Sequence, residues 1–171
     1  LKARSWLGWQ LAMKTSPAHG SARIMGFENS GLLDAVDGGE VAVIAGFQGV
    51  TDEGRVSTLG RGGSDTSAVA VAAALGADSC DIYTDVDGVY TTDPRIVPQA
   101  RRLDKISYEE MLEMASLGAK VLQTRSVELA MNHQVRVRVL SSFAAPGEDN
   151  PGTYVCSEDE IVEKQVVNGV T

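Results

Sequence analysis

The stretch Thr58-Leu59-Gly60-Arg61-Gly62-Gly63-Ser64-Asp65, followed by an Ala- and Val-rich run over residues 66–75, decides how the rest of this chain is read. Three glycines surround a single arginine, and a serine and an aspartate then stand where a helix would begin. Glycine permits positive φ and lets backbone N–H groups come close to an anion. A helix N-terminus adds unpaired donors and the positive end of the macrodipole. Arg61 contributes a planar fork suited to a carboxylate or a phosphate. The pattern predicts a strand-to-helix loop that holds a small anionic substrate. The same residues also fit a plainer structure: a tight turn over residues 60–63, Ser64 or Asp65 as an ordinary N-cap, and a solvated Arg61. The run that follows has almost no polar face, so the helix over residues 66–75 should be well buried and end at Gly76.

Working outward, residues 40–47 form a nearly continuous apolar run ended by glycine, which fits a parallel strand buried on both faces. In open α/β sheets ligands bind past the C-terminal ends of strands, which brings Phe47-Gln48-Gly49 towards a site, although Phe47 serves equally as a core cap. Downstream, residues 80–84 read as a strand, and Asp87-Gly88 is a turn signal between strand-like flanks. Thr91-Thr92-Asp93-Pro94-Arg95 is a polar loop fixed by its proline. Ser107 and Glu110 make a capping box for a helix, Gly118 ends that helix or begins the next, and a second helix carrying Val121, Leu122, Val127, Leu129 and Ala130 stops near Asn132. Residues 135–143 alternate Arg136 and Arg138 with valines, as expected of a strand with one wet face or an edge position. Upstream, residues 2–7 and 22–25 are strand candidates, and residues 32–37 suit a short helix. The order of strands and helices predicts an α/β fold, a three-layer αβα sandwich with a mainly parallel sheet.

The 171 residues are enough for one α/β domain with a real core, and 43% hydrophobic with 22% charged residues argues against disorder. A formal net charge of -8 disfavours nonspecific nucleic-acid binding, so any phosphate site must be built locally. No apolar run reaches the roughly 20 residues of a bilayer span, and Leu1-Lys2-Ala3-Arg4 does not read as a signal peptide. Cys80 and Cys156 are isolated, and His19 and His133 are too far apart to suggest zinc, so a reduced cytoplasmic protein is expected. Both ends run through strand-like sequence, and a piece of a longer chain is expected.

Taken together, the glycine string, Asp85-Val86-Asp87-Gly88-Val89-Tyr90 and Asp93-Pro94-Arg95 closely resemble the aspartate kinase (aspartokinase) family of the amino-acid kinase fold. Gly118-Ala119-Lys120-Val121-Leu122 and Arg125-Ser126-Val127-Glu128 match that family too. The resemblance implies ATP-dependent phosphorylation of the β-carboxylate of L-aspartate to 4-phospho-L-aspartate, the first committed step towards lysine, threonine and methionine. It implies that Arg61 pairs with the substrate α-carboxylate while Gly62, Gly63 and Ser64 shape that pocket and Phe47 lines it. Asp65 would face the amino group and help organise the phosphoryl-transfer centre. Ser64, Thr84, Asp85, Tyr90, Thr91, Thr92, Asp93, Pro94, Arg95, Lys120 and Val121 match positions that hold ATP, with Mg2+ bridging the phosphates. Each has a plainer reading: Asp87 makes a turn, Asp93 caps the one before Pro94, and Lys120 is solvated.

By the same resemblance, residues 1–143 form the C-terminal portion of the catalytic domain. Residues 144–171 form a linker and the start of an ACT regulatory domain, around residues 166–171. The family's Lys-Phe-Gly-Gly motif does not occur in this sequence, and nothing in it is matched to the family's upstream Ser/Thr pair or to the glutamate near its Gly-Glu turn. The implied partners are L-aspartate and ATP, with neither nucleic acid nor membrane, in a full-length protein that is at least a homodimer. The residues leave two further possibilities. One is a glutamate, acetylglutamate, carbamate or UMP kinase relative, and the other is a non-catalytic nucleotide-binding module. The 171-residue chain by itself is expected to be inactive or nearly so. An assay of ATP- and aspartate-dependent acyl phosphate formation checks this, and turnover near that of a full-length enzyme would contradict it.

Overall fold

The computed structural model describes residues 1–161 apart from Ala12, Asn29 and Pro146. The start of a regulatory domain, expected around residues 166–171, lies outside the described residues. Where one α/β domain was expected, the chain divides into two compact units that meet in sequence at Gly76 and Ala77.

In the first unit, β1 (Ala3–Trp6) runs parallel to β4 (Val41–Ile44), with Ala3 opposite Val41 and Trp6 opposite Ile44. A second sheet holds β2 (Met13–Thr15), β3 (Ile24–Phe27), β5 (Gln48–Val50) and β6 (Val56–Thr58) in the order β3-β2-β5-β6. Its central pair is parallel and both outer pairs are antiparallel. The centre closes tightly because Gly49 carries no Cβ, which would otherwise lie 2.9 Å from the Met13 carbonyl oxygen. Beside it the buried hydroxyls of Thr15 and Ser57 share a hydrogen bond of 2.5 Å. Two helices complete the unit, α1 (Ser30–Asp37) and α2 (Gly63–Leu75), over a core that includes Leu11, Met13, Leu32, Leu59 and Val69.

The run over residues 40–47 behaves differently from its reading. It does give a parallel strand, but Val41 is 45% and Val43 55% exposed, while Ala42 and Ile44 on the other face are half-buried. The strand candidate at 22–25 lies two residues later, and α1 opens two residues before its predicted start.

The second unit is built on β7 (Cys80–Thr84), β8 (Lys105–Ser107), β9 (Val137–Ser141) and β10 (Thr153–Cys156), ordered β7-β9-β10-β8. β7 and β9 are parallel, β9 and β10 antiparallel, β10 and β8 parallel. Across the described strands four pairings are parallel and three antiparallel, so the fold is α/β with mixed sheets. β9 lies between two strands, so its Arg/Val alternation marks a wet face and not an edge. On that face Arg138 forks onto Asp81 at 3.0 and 2.5 Å and reaches the Tyr154 hydroxyl at 3.2 Å. Val137 and Val139 point the other way and are buried.

Helix α3 (Tyr108–Leu117) follows from its cap, whereas α4 (Thr124–His133) has no side-chain cap at its start. The Glu110 N–H donates to Ser107 Oγ and the Ser107 N–H donates to the Glu110 carboxylate, each at 3.2 Å, completing the predicted box. Gly118 at φ 119° ends α3. α4 starts at Thr124, so Val121 and Leu122 precede it. Among the described residues no helix is long and apolar enough to cross a membrane.

The strand β10 was not anticipated, because it emerges directly from the Pro- and Gly-rich loop that reads as a linker. Its first residue, Thr153, is fully buried. Its hydroxyl accepts from the Val89 N–H at 2.8 Å and donates to the Leu103 carbonyl at 2.6 Å. Thr153→Val keeps the shape but strands a buried amide and a buried carbonyl. It should lower stability by about 1–3 kcal/mol, whereas Thr153→Ser should lose less. Denaturant midpoints check this, and an unaltered midpoint for Thr153→Val would contradict it.

Candidate functional site

The glycine loop follows from backbone sterics. β6 ends at Thr58, Leu59 is buried, and Gly60 adopts φ 78° with the Gly20 carbonyl oxygen 2.5 Å from where a Cβ would stand. Gly62, at φ 70° and ψ 14°, is the N-cap of α2. Ser64 and Asp65 therefore sit in the first turn and neither caps the helix, which corrects the plainer reading of the loop. No side chain caps this N-terminus, where the Gly63 N–H donates to the Gly60 carbonyl at 2.9 Å, and Arg61 and Ser64 are exposed beside it.

Asp65 is half-buried, and its burial pushes the carboxyl above its ordinary value. Phe47 is a left-handed residue at φ 69°, and its ring lies over Gly63, where a Cβ would come within 2.7 Å of Cδ2. Phe47 and residues 61–65 thus form one cluster inside the first unit.

The predicted nucleotide residues lie in the second unit. Thr84 ends β7, and its carbonyl accepts from both the N–H and the hydroxyl of Ser142 at 2.8 Å. Its own hydroxyl donates to Asp85 at 3.2 Å. Residues 85–88 bend, with Gly88 pressed against Thr153 and the stem of Arg102, so any Cβ there would stand 2.5 Å from the Thr153 hydroxyl oxygen. The Tyr90 hydroxyl donates to the Asp87 carboxylate at 3.0–3.1 Å, which gives Asp87 a structural partner. The Thr91 N–H donates to the Arg101 carbonyl, and the Arg101 N–H donates back to the Thr91 hydroxyl.

The Asp93 carboxylate accepts from the Arg95 N–H at 2.9 Å and from the Arg95 guanidinium at 3.0 and 2.8 Å, as the capping reading of Asp93 has it. Thr92 is partly buried, and Pro94 and Arg95 are exposed. Lys120, exposed, and Val121, half-buried, lie between α3 and α4. Among the described residues no three His, Cys, Asp or Glu side chains form a metal-ligating group. Two buried hydroxyls, Ser67 and Thr153, support these loops and were passed over in the sequence. Each stands where a polar stretch gives way to an apolar one, Ser67 before Ala68-Val69 and Thr153 before Tyr154-Val155.

Residues 8–141 match the profile described as the Amino acid kinase family. The chain is 55% identical over 170 residues to an aspartokinase of Pseudomonas aeruginosa, covering 98% of this chain and 40% of that protein. Among solved structures it is similar to E. coli aspartokinase III in complex with aspartate and ADP, at 37% identity and a TM-score of 0.74. That match covers 91% of this chain and 35% of the other. An aspartate kinase from Synechocystis gives 47% identity and a TM-score of 0.74 over 91% of this chain and 24% of that one. The chain spans about 40% of the length of the curated relatives it matches.

The Asp93–Arg95 pair makes a pH prediction. The Arg95 side chain, then its backbone N–H, holds the Asp93 carboxyl below its ordinary value of 3.8. Because the folded value is depressed, the pair's contribution is present above 3.8 and is lost as pH falls through the lower folded value. A carboxyl NMR titration should place the Asp93 midpoint below 3.8, and Arg95→Gln should move it back up. An ordinary midpoint in the unaltered protein would show that the pair does not form in solution.

Proposed function

We propose, since the chain belongs to the amino acid kinase family, that the protein it comes from transfers the γ-phosphoryl group of ATP to the β-carboxylate of L-aspartate. A carboxylate oxygen forms the new P–O bond, the bond to the β-phosphate bridging oxygen breaks, and ADP and 4-phospho-L-aspartate leave. The observation that carries this reading is the loop over residues 60–65. An exposed guanidinium stands at the N-terminus of a helix whose N-cap and first residue are glycine and which no side chain caps, a geometry suited to a small carboxylate.

In this reading Arg61 forks onto the α-carboxylate, while the backbone of Gly62 and Gly63 and the Ser64 hydroxyl complete the anion cradle. Asp65 takes the α-ammonium. A carboxylate whose burial disfavours its charge gains most from a cation placed against it. Phe47 walls the site. Thr84, Asp85, Tyr90, Thr91, Thr92, Asp93, Pro94, Arg95, Lys120 and Val121 hold the nucleotide. Arg95 exchanges Asp93 for a phosphate, and Tyr90 packs on base or ribose. Magnesium bound to the phosphates neutralises charge and needs few protein ligands. Phosphoryl transfer depends mainly on such positioning and charge neutralisation. The same reading makes the full-length protein a cytoplasmic homo-oligomer, at least a dimer, serving lysine, threonine and methionine biosynthesis.

The test is made in the full-length protein. Arg61→Ala removes a charge-assisted fork worth about 1.5–3 kcal/mol. The KM for aspartate should therefore rise roughly 10- to 100-fold, with little effect on the KM for ATP. A substrate panel of aspartate, glutamate, acetylglutamate, carbamate and UMP discriminates the relatives. Turnover of any of the others in place of aspartate would overturn the reading, and ATP binding without turnover would favour a nucleotide-binding module.

A further inference from the structure

We propose that Ser67 is a positioning residue for the carboxylate loop, holding Phe47 in its left-handed conformation over the first residue of α2. Ser67 stands inside the Ala- and Val-rich face of α2 and is 3% exposed. A helical serine commonly turns its hydroxyl back onto a carbonyl of the preceding turn, and Ser67 does so, donating to the Ser64 carbonyl at 2.9 Å. That leaves the oxygen's lone pairs free to accept. The donor that reaches them is the Phe47 N–H, at 3.2 Å.

Phe47 needs such a partner. An aromatic residue at φ 69° is in a region its Cβ disfavours, and it persists only where surrounding contacts determine it. Both of its main-chain polar groups are engaged. The N–H goes to Ser67, and the carbonyl accepts from the Leu59 N–H at 3.1 Å. These contacts bracket the loop over residues 60–65, one just before it and one just after it. The backbone approach is close on both sides. A Cβ on Gly46 would stand 2.9 Å from Ser67 Oγ, and a Cβ on Gly63 would stand 2.7 Å from the Phe47 ring. Without the hydroxyl, Phe47 loses the contact that fixes its backbone, and the ring is released from Gly63. Ser67, buried beneath the turn, acts through Phe47.

The inference rests on the reading that Phe47 and residues 61–65 hold aspartate, and the two can fail separately. In the full-length protein, Ser67→Ala should raise the KM for aspartate about tenfold, with kcat and the KM for ATP within about threefold of the unaltered protein. Ser67→Thr keeps the hydroxyl and should restore the aspartate KM. An unaltered aspartate KM in Ser67→Ala overturns the assignment. So does an equal loss on both substrates and kcat that Ser67→Thr does not rescue. Should Ser67→Ala not accumulate as folded protein, Ser67→Cys, close in volume and a weaker acceptor, is read against the same outcomes. Amide exchange at Phe47 is independent of aspartate: Ser67→Ala should speed it about tenfold while sparing the amides of β10. Equal exchange in both proteins overturns the role of the hydroxyl, even where the unaltered protein does not phosphorylate aspartate. That last result by itself sinks only the functional reading.

Discussion

Left-handed backbone at Gly60 and Gly62 is the constraint on which the glycine loop depends. At Gly60 a Cβ would overlap the Gly20 carbonyl, and at Gly62 the positive φ sets the direction in which α2 leaves the turn. An L-residue with a side chain reaches this region only at a cost, so the turn needs glycine. With the turn fixed, Arg61 is carried on its outside, and the first amides of α2 come free of any side-chain cap. The course of this loop is thus a product of backbone geometry, and the exposed arginine adds a charge beside a helix N-terminus that no side chain caps.

The two candidate loops are supported by the same physical device. In the first unit the Ser67 hydroxyl accepts from one loop amide and donates to a helix carbonyl. In the second, the Thr153 hydroxyl accepts from the Val89 amide and donates to the Leu103 carbonyl. In each case a single buried oxygen, able to donate and accept at once, satisfies a loop amide, that of Phe47 or of Val89, that has no ladder partner. Each also sits under a glycine whose missing Cβ makes room for it, Gly46 over Ser67 and Gly88 over Thr153. Both loops are in this way pinned from beneath.

Charge is handled locally. Asp93 and Arg95 satisfy one another within a three-residue turn, and Asp87 is bound by Tyr90. The plainer readings of both aspartates describe what these side chains do in the structure. Arg138, by contrast, belongs to a sheet-face network with Asp81 and Tyr154, which is why its alternation with valines is visible in the sequence.

Local chemistry was legible in the sequence by itself. The glycine loop, the capping box at Ser107, the helix stops at Gly76 and Gly118, and the strands over residues 80–84 and 137–141 all follow from rules acting within a few residues. The family resemblance also followed from residue identity and spacing. What only the tertiary structure decided depends on partners far along the chain. The short strands β2, β5, β8 and β10 have too few residues to show a period, and exist because a neighbour supplies their hydrogen bonds. The division at Gly76, the exposure of Val41 and Val43, the left-handed Phe47 and the roles of Ser67 and Thr153 are of the same kind. A sequence announces which groups must be satisfied, but which distant atom satisfies them is settled only when the backbone brings the two together.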